Sequence, residues 1–91
     1  MRYLVSGARV FQLKATHGLP LDFTLDRIIN QGGHAVAWVG FVEEARKNGW
    51  WDFQTFQVIE EGMEDAQLPR DMQQAIKDRL KVYMLAHPLK H

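Results

Sequence analysis

Cysteine is absent from this sequence of 91 residues, and its absence excludes several kinds of chemistry. Disulfide frameworks, zinc ribbons, iron–sulfur clusters and thiol nucleophiles all depend on that residue. Long apolar runs are absent as well, since the run from Tyr3 to Val5 is far too short for a secretory signal or a membrane span. We therefore expect a cytoplasmic protein whose fold depends on its own hydrophobic core.

Charge of one sign is not in excess either. Eleven Lys and Arg residues balance eleven Asp and Glu residues, which gives a formal net charge of +0. Proteins that bind nucleic acid mainly through its phosphates usually carry a clear basic excess. Non-specific binding of DNA or RNA is therefore disfavoured.

Apolar side chains, in contrast, are abundant enough to build one core. They make up 46% of the residues and include five Phe, three Trp and two Tyr. Two domains in a chain of this length would each fall near the size at which disulfides or metals are needed for stability. The composition therefore predicts a single domain that spans residues 1–91.

The spacing of these apolar residues predicts helices. Intervals of three and four are typical of the buried stripe of an amphipathic helix, and they recur in five segments. The segments break at Gly18, at Gly32 and Gly33, at Gly49 and at Pro69, which are residue types that end helices or begin new ones. The sequence therefore predicts an all-α fold, a single compact bundle of about five short helices.

The regions between the helices give little sign of a sheet. The segment from Tyr3 to Val5 is the only candidate strand and has no evident partner, and the segment from His34 to Val36 is expected to be a loop. Asp52 is well placed to cap the fourth helix. The buried face of that helix is predicted to carry Phe53, Phe56, Ile59 and Met63.

A distinctive pattern marks the turn between the first two predicted helices. An aromatic residue is followed two positions later by Leu, then by Thr-His-Gly, an apolar residue, Pro, another apolar residue, Asp and Thr. The residues of this pattern are Phe11, Leu13, Thr16, His17, Gly18, Pro20, Asp22 and Thr24. The pattern resembles the segment that follows the aminoacylation core of alanyl-tRNA synthetases. Weaker similarity continues to Gly40 and Phe41, so that the resemblance covers about residues 8–41.

The same segment is similar to small phage and prophage proteins of unassigned role that carry it alone, and we favour that group. The resemblance does not imply the enzyme, because aminoacylation needs a large antiparallel sheet and the editing zinc of the synthetases needs Cys ligands. It implies a helix–turn–helix packing unit. In that unit Gly18 makes the turn, Pro20 begins a helix, and Asp22 or Thr24 satisfies free backbone N–H groups.

Candidate catalytic and metal-ligating residues do not form a recognisable site. His17 and His34 have no acid or base partner evident in the sequence. His87 and His91 have the spacing of helical metal motifs, but Pro88 works against a helix between them. We therefore predict a protein that is not an enzyme and that uses no cofactor and no metal.

Trp50 and Trp51 are the most informative pair, because adjacent tryptophans in one connection do not both point into the same core. At least one is expected to be partly exposed, and exposed tryptophan is enriched at binding hot spots. An equally weighted interpretation has Trp50 packing under the third helix and Trp51 packing at the start of the fourth. Our leading hypothesis is a phage-type helical module that binds an unidentified protein through Trp50 and Trp51.

RNA binding is the alternative function. In the synthetases the matching turn belongs to a helical region near tRNA contacts, so a module descended from it would use Lys14, the turn around Gly18 and Arg27. A gel shift with tRNA at low salt distinguishes the two functions, because phosphate contacts are strongest there. Self-association through an exposed aromatic residue is a further arrangement that a core of this size allows.

Overall fold

Five helices and one two-stranded sheet make up the fold in a computed structural model, which describes residues 2–89. The prediction of five helices is confirmed. In chain order the elements are β1 (Leu4–Ser6), α1 (Gly7–Ala15), α2 (Leu21–Leu25) with a π-helical continuation (Asp26–Gln31), β2 (Ala35–Ala37), α3 (Trp38–Lys47), α4 (Asp52–Asp65) and α5 (Arg70–Ala86). None of the helices within residues 2–89 is both long enough and apolar enough to span a membrane.

The sheet shows that the purely α-helical prediction is wrong. β1 pairs in parallel with β2, and Val5 lies opposite Val36. The backbone N–H of Ala35 donates to the carbonyl oxygen of Tyr3 at 3.0 Å, which extends the pairing at one end. The segment predicted to be a loop is therefore largely strand. A strand of three residues is too short to show the alternating pattern from which strands are predicted. Parallel pairing also joins residues far apart in the sequence, so no local pattern links the two strands.

The predicted helix–turn–helix unit is present between α1 and α2. Gly18 has a positive φ of 68°, and the N–H of Leu19 donates to the carbonyl oxygen of Leu13 at 3.0 Å. Pro20 precedes the first residue of α2, and its carbonyl oxygen accepts from the N–H of Thr24 at 3.3 Å. No side chain within the described chain caps α2, so the expected capping role of Asp22 or Thr24 is wrong. The backbone makes this turn by itself.

The π-helical continuation of α2 is held by hydrogen bonds between its own side chains. The Asp26 carboxylate accepts from Asn30 Nδ2 at 2.9 Å and from Gln31 Nε2 at 2.7 Å. The N–H of Gly32 donates five residues back to the carbonyl oxygen of Arg27 at 3.0 Å. Asn30 Nδ2 also donates to the carbonyl oxygen of Ala66, 2.9 Å away, and so ties this segment to the end of α4.

The two hydrogen bonds to Asp26 predict a dependence of stability on acid. They lower the pKa of this carboxyl below its ordinary value of 3.8. A carboxyl whose pKa is depressed by folding stabilises the protein above its unfolded-state pKa, and that contribution is lost as the pH falls through the folded-state value. We expect Asp26→Asn to lose less stability than the native chain between pH 5 and pH 2, measured by urea unfolding. Asp22→Asn is the matched control, and an equal loss in both variants would contradict the assignment.

The core lies where α1 crosses α3, and residues of α2, α4 and α5 complete it. Phe11 and Phe41 meet edge to face, with ring centroids 5.4 Å apart. Such pairs prefer this geometry because the positive ring edge meets the negative ring face. The buried apolar residues are Val10, Phe11, Leu21, Leu25, Val36, Trp38, Phe41, Val42, Ala45, Ile59, Met63, Ala66, Leu68 and Leu80.

Candidate protein-binding surface

The structure separates the two adjacent tryptophans. Trp50 is half-buried, and its ring meets that of Phe11 edge-on with centroids 5.2 Å apart. Trp51 precedes the first residue of α4, and its side chain is 52% exposed. Its backbone N–H donates to Gln54 Oε1 at 2.9 Å. Trp51 is therefore the N-cap residue of α4, and the prediction of a cap at Asp52 is wrong. Trp50 therefore belongs to the edge of the core, whereas Trp51 contributes to the surface.

Phe53 lies on the surface, contrary to the prediction from its spacing. It was predicted to be buried, but it is 70% exposed. The buried face of α4 consists of Thr55, Ile59, Gly62 and Met63. Phe53 lies two helical turns before Glu60 and shares its face. Since Glu60 Oε2 accepts from Lys77 Nζ of α5 at 3.3 Å, this face borders α5 at the protein surface.

A shallow groove runs between the first turns of α4 and the last turns of α5. It has a volume of about 320 Å³ and is lined by Asp52, Phe53 and Phe56 from α4 and by Lys81 and Met84 from α5. The Lys81 ammonium lies 5.6 Å from the centroid of the Phe56 ring. Leu85 follows Lys81 by one helical turn and is 81% exposed. We call Phe53, Phe56, Lys81, Met84 and Leu85 the α4–α5 surface.

Side chains behind this surface hold three helices together. Arg46 of α3 donates from Nε and Nη2 to the two carboxylate oxygens of Asp52, at 3.0 and 2.8 Å. These bonds raise the pKa of Arg46 above its ordinary value. The same guanidinium lies 5.6 Å from the centroid of the Tyr83 ring. Burial, with the nearby charge of Glu43, raises the pKa of the Tyr83 hydroxyl. The α4–α5 surface therefore has a preformed support.

The two cations named for RNA binding lie beside carboxylates. Lys14 lines a groove together with Glu61 and Asp65. The Arg27 guanidinium lies 5.7 Å from the centroid of the Phe23 ring, and Phe23 itself lines a groove with Asp22, Asp26 and Asp65. Neither groove forms a basic patch, because acidic residues repel the phosphates that RNA would bring to it.

The histidines and acidic residues do not assemble a metal centre in the part of the chain that the structure describes. Within residues 2–89 no group of three or more His, Asp or Glu side chains is arranged to hold a metal ion. His17 is exposed, and His34 accepts a hydrogen bond through Nδ1 from the N–H of Tyr3 at 3.0 Å. His91, the second member of the carboxyl-terminal histidine pair, lies outside the described residues.

Comparison with known proteins does not place the chain in a family. No family model, no curated protein and no solved structure matches it. The similarity to the synthetase segment and to phage proteins therefore rests on the matched residues between Phe11 and Phe41, and it stays a prediction.

Proposed function

We propose that this protein is a non-catalytic helical module that binds a protein partner through the α4–α5 surface. The observation that carries the proposal is a groove lined by Phe53, Phe56 and Met84. Phe53 is 70% exposed, and Leu85, one helical turn after Lys81 of the same lining, is 81% exposed. Aromatic residues and methionine are enriched at protein interfaces. Contiguous apolar surface of this kind on a small domain marks binding sites.

The occupant that fits the groove is an amphipathic helix of the partner. Apolar grooves between two helices bind such helices through apolar residues spaced one turn apart. Asp52 of the groove lining already pairs with Arg46, whereas Lys81 takes part in no ion pair within residues 2–89. An acidic residue beside the apolar stripe of the partner helix would therefore complement Lys81.

A phage or prophage origin and a cytoplasmic location complete the proposal. The matched turn residues around Gly18 support the origin. The genes that neighbour this one test the origin, since phage genes are expected beside it. Capsid, lysis or early-expression genes among them would each indicate a different class of partner.

Removing the exposed aromatic rings is expected to weaken partner binding strongly. Phe53→Ser should weaken the complex by about 2 kcal/mol or more, which is roughly a 30-fold increase in Kd, because exposed aromatic anchors dominate interface energies. Trp51→Ala should act in the same direction, because Trp51 is exposed and directly precedes Asp52 of the groove lining. The measurement is affinity capture with the tagged full chain, followed by calorimetric titration with the purified captured protein.

The matched control is Phe23→Ser, because Phe23 is also an exposed phenylalanine in the first turn of a helix but lies on α2. It should bind the partner like the native chain, and all three variants should keep the native helical circular dichroism. Equal binding by Phe53→Ser and the native chain would overturn the proposal. A native dimer in light scattering that Phe53→Ser dissociates would also overturn it, because a second copy would then occupy the surface.

A further inference from the structure

A second cavity lies on a different face of α5 from the α4–α5 surface. It has a volume of about 170 Å³. One wall is α5, and the opposite wall is the end of the π-helical segment together with β2 and the start of α3. The lining residues are Arg2, Ile29, His34, Ala35, Val36, Trp38, Met72, Ala75, Ile76 and Arg79.

The interior of this cavity is apolar. Ile29, Val36, Trp38 and Ile76 contribute to it, and Trp38 is only 5% exposed, so its ring is fixed in the wall. An apolar cavity of about 150 Å³ accommodates a benzene molecule. The space is therefore sufficient for one aromatic ring or a short aliphatic chain.

The polar side chains of the lining are all donors. Arg2 and Arg79 are the charged ones, and no Asp or Glu lines the cavity. Within the described chain neither guanidinium group takes part in a hydrogen bond or an ion pair. His34 uses Nδ1 to accept from the N–H of Tyr3, so the neutral imidazole carries its proton on Nε2. The cavity thus joins an apolar interior to two guanidinium groups, with no carboxylate in the lining, and to a third donor.

We infer that this cavity binds a small organic acid with an aromatic ring or a short aliphatic body. The apolar body occupies the space beside Trp38 and Ile76, and the carboxylate is held by Arg2 and Arg79. Guanidinium groups bind carboxylates through paired, charge-assisted hydrogen bonds, which makes arginine well suited to this ligand. This inference does not depend on the proposed protein-binding function, because the two sites share no residue.

The test is an NMR titration of the ¹⁵N-labelled full chain with phenylacetate and with phenylacetamide, its neutral counterpart. Phenylacetate should shift the signals of Ile29, Val36 and the Trp38 indole, and should bind at least about tenfold more tightly than the amide, a ratio that corresponds to one charge-assisted interaction. Arg79→Gln should remove most of that preference. Arg70→Gln is the matched control, since Arg70 lies on the same helix outside the lining.

A variant that fills the cavity separates binding here from binding elsewhere. Ala75→Trp places a large side chain in the lining and should abolish the shifts caused by both ligands. The inference is overturned by any of three results: no shifts at these signals, equal affinity for phenylacetate and phenylacetamide, or equal effects of Arg79→Gln and Arg70→Gln. Shifts confined to Phe53, Phe56 and Met84 would also overturn it, because the ligand would then occupy the α4–α5 surface.

Discussion

Replacing Phe11 with alanine is expected to lower the free energy of unfolding by about 3–5 kcal/mol, the usual cost of deleting a buried aromatic ring. Phe11 is 1% exposed and meets two other rings edge-on, Phe41 at 5.4 Å and Trp50 at 5.2 Å. Alanine would lose both ring contacts and leave a cavity that the surrounding helices fill only in part. Small domains have a total stability of about 5–15 kcal/mol, so this loss is a large share of it.

Urea unfolding followed by circular dichroism measures this loss. The midpoint should fall while the slope of the transition stays the same, because the surface exposed on unfolding is nearly unchanged. Phe53→Ala is the control, since it removes the same ring from an exposed position and should cost less than about 1 kcal/mol. If the two variants lose equal stability, Phe53 is buried in solution and the α4–α5 surface is not free.

Gly7→Ala is expected to destabilise the fold by about 3 kcal/mol or more, at the upper end of the cost of overpacking. Gly7 begins α1 where the helix passes the junction of β2 and α3. A Cβ at this position would lie inside the contact distance of the Ala37 carbonyl oxygen and the Phe41 amide nitrogen. Both are backbone atoms, so relief requires α1 to move away from α3.

Gly40→Ala provides the comparison from the other helix of the same crossing. A Cβ at Gly40 would be 3.4 Å from the nearest atom, the amide nitrogen of Ala8, which is an ordinary contact. Alanine also has a higher helix propensity than glycine by about 1 kcal/mol. We expect Gly40→Ala to be neutral or slightly stabilising in the same urea experiment. A neutral Gly7→Ala variant would show that α1 and α3 do not cross as closely as the structure places them.

The candidate binding surface was only partly predictable. The expectation that one member of the Trp50 and Trp51 pair is exposed matches the position of Trp51. The exposure of Phe53 was missed because its spacing of three from Phe56 resembles a buried stripe. The signal available was its distance of seven residues from Glu60, since residues two turns apart share a face and a glutamate is seldom buried.

The features that depend on residues close together in the chain could be predicted from the sequence alone. The turn at Gly18, the starts after Pro20 and Pro69 and the helical stripe of α5 all depend on residues within a few positions of one another, so propensity and spacing suffice to predict them. The absence of cysteine likewise excludes its chemistry in any fold. The turn, the two helix starts and the stripe of α5 make up most of the helical framework.

Tertiary structure decided the features that join distant segments. Val5 finds its strand partner in Val36, Arg2 and Arg79 come to the same cavity, and Phe53 is left uncovered beside Met84. Each depends on how the helices pack, because strand pairing, cavities and exposed faces are formed by residues that no local pattern links. The two proposed binding sites are both of this kind, which is why the sequence predicts the framework better than the surfaces it carries.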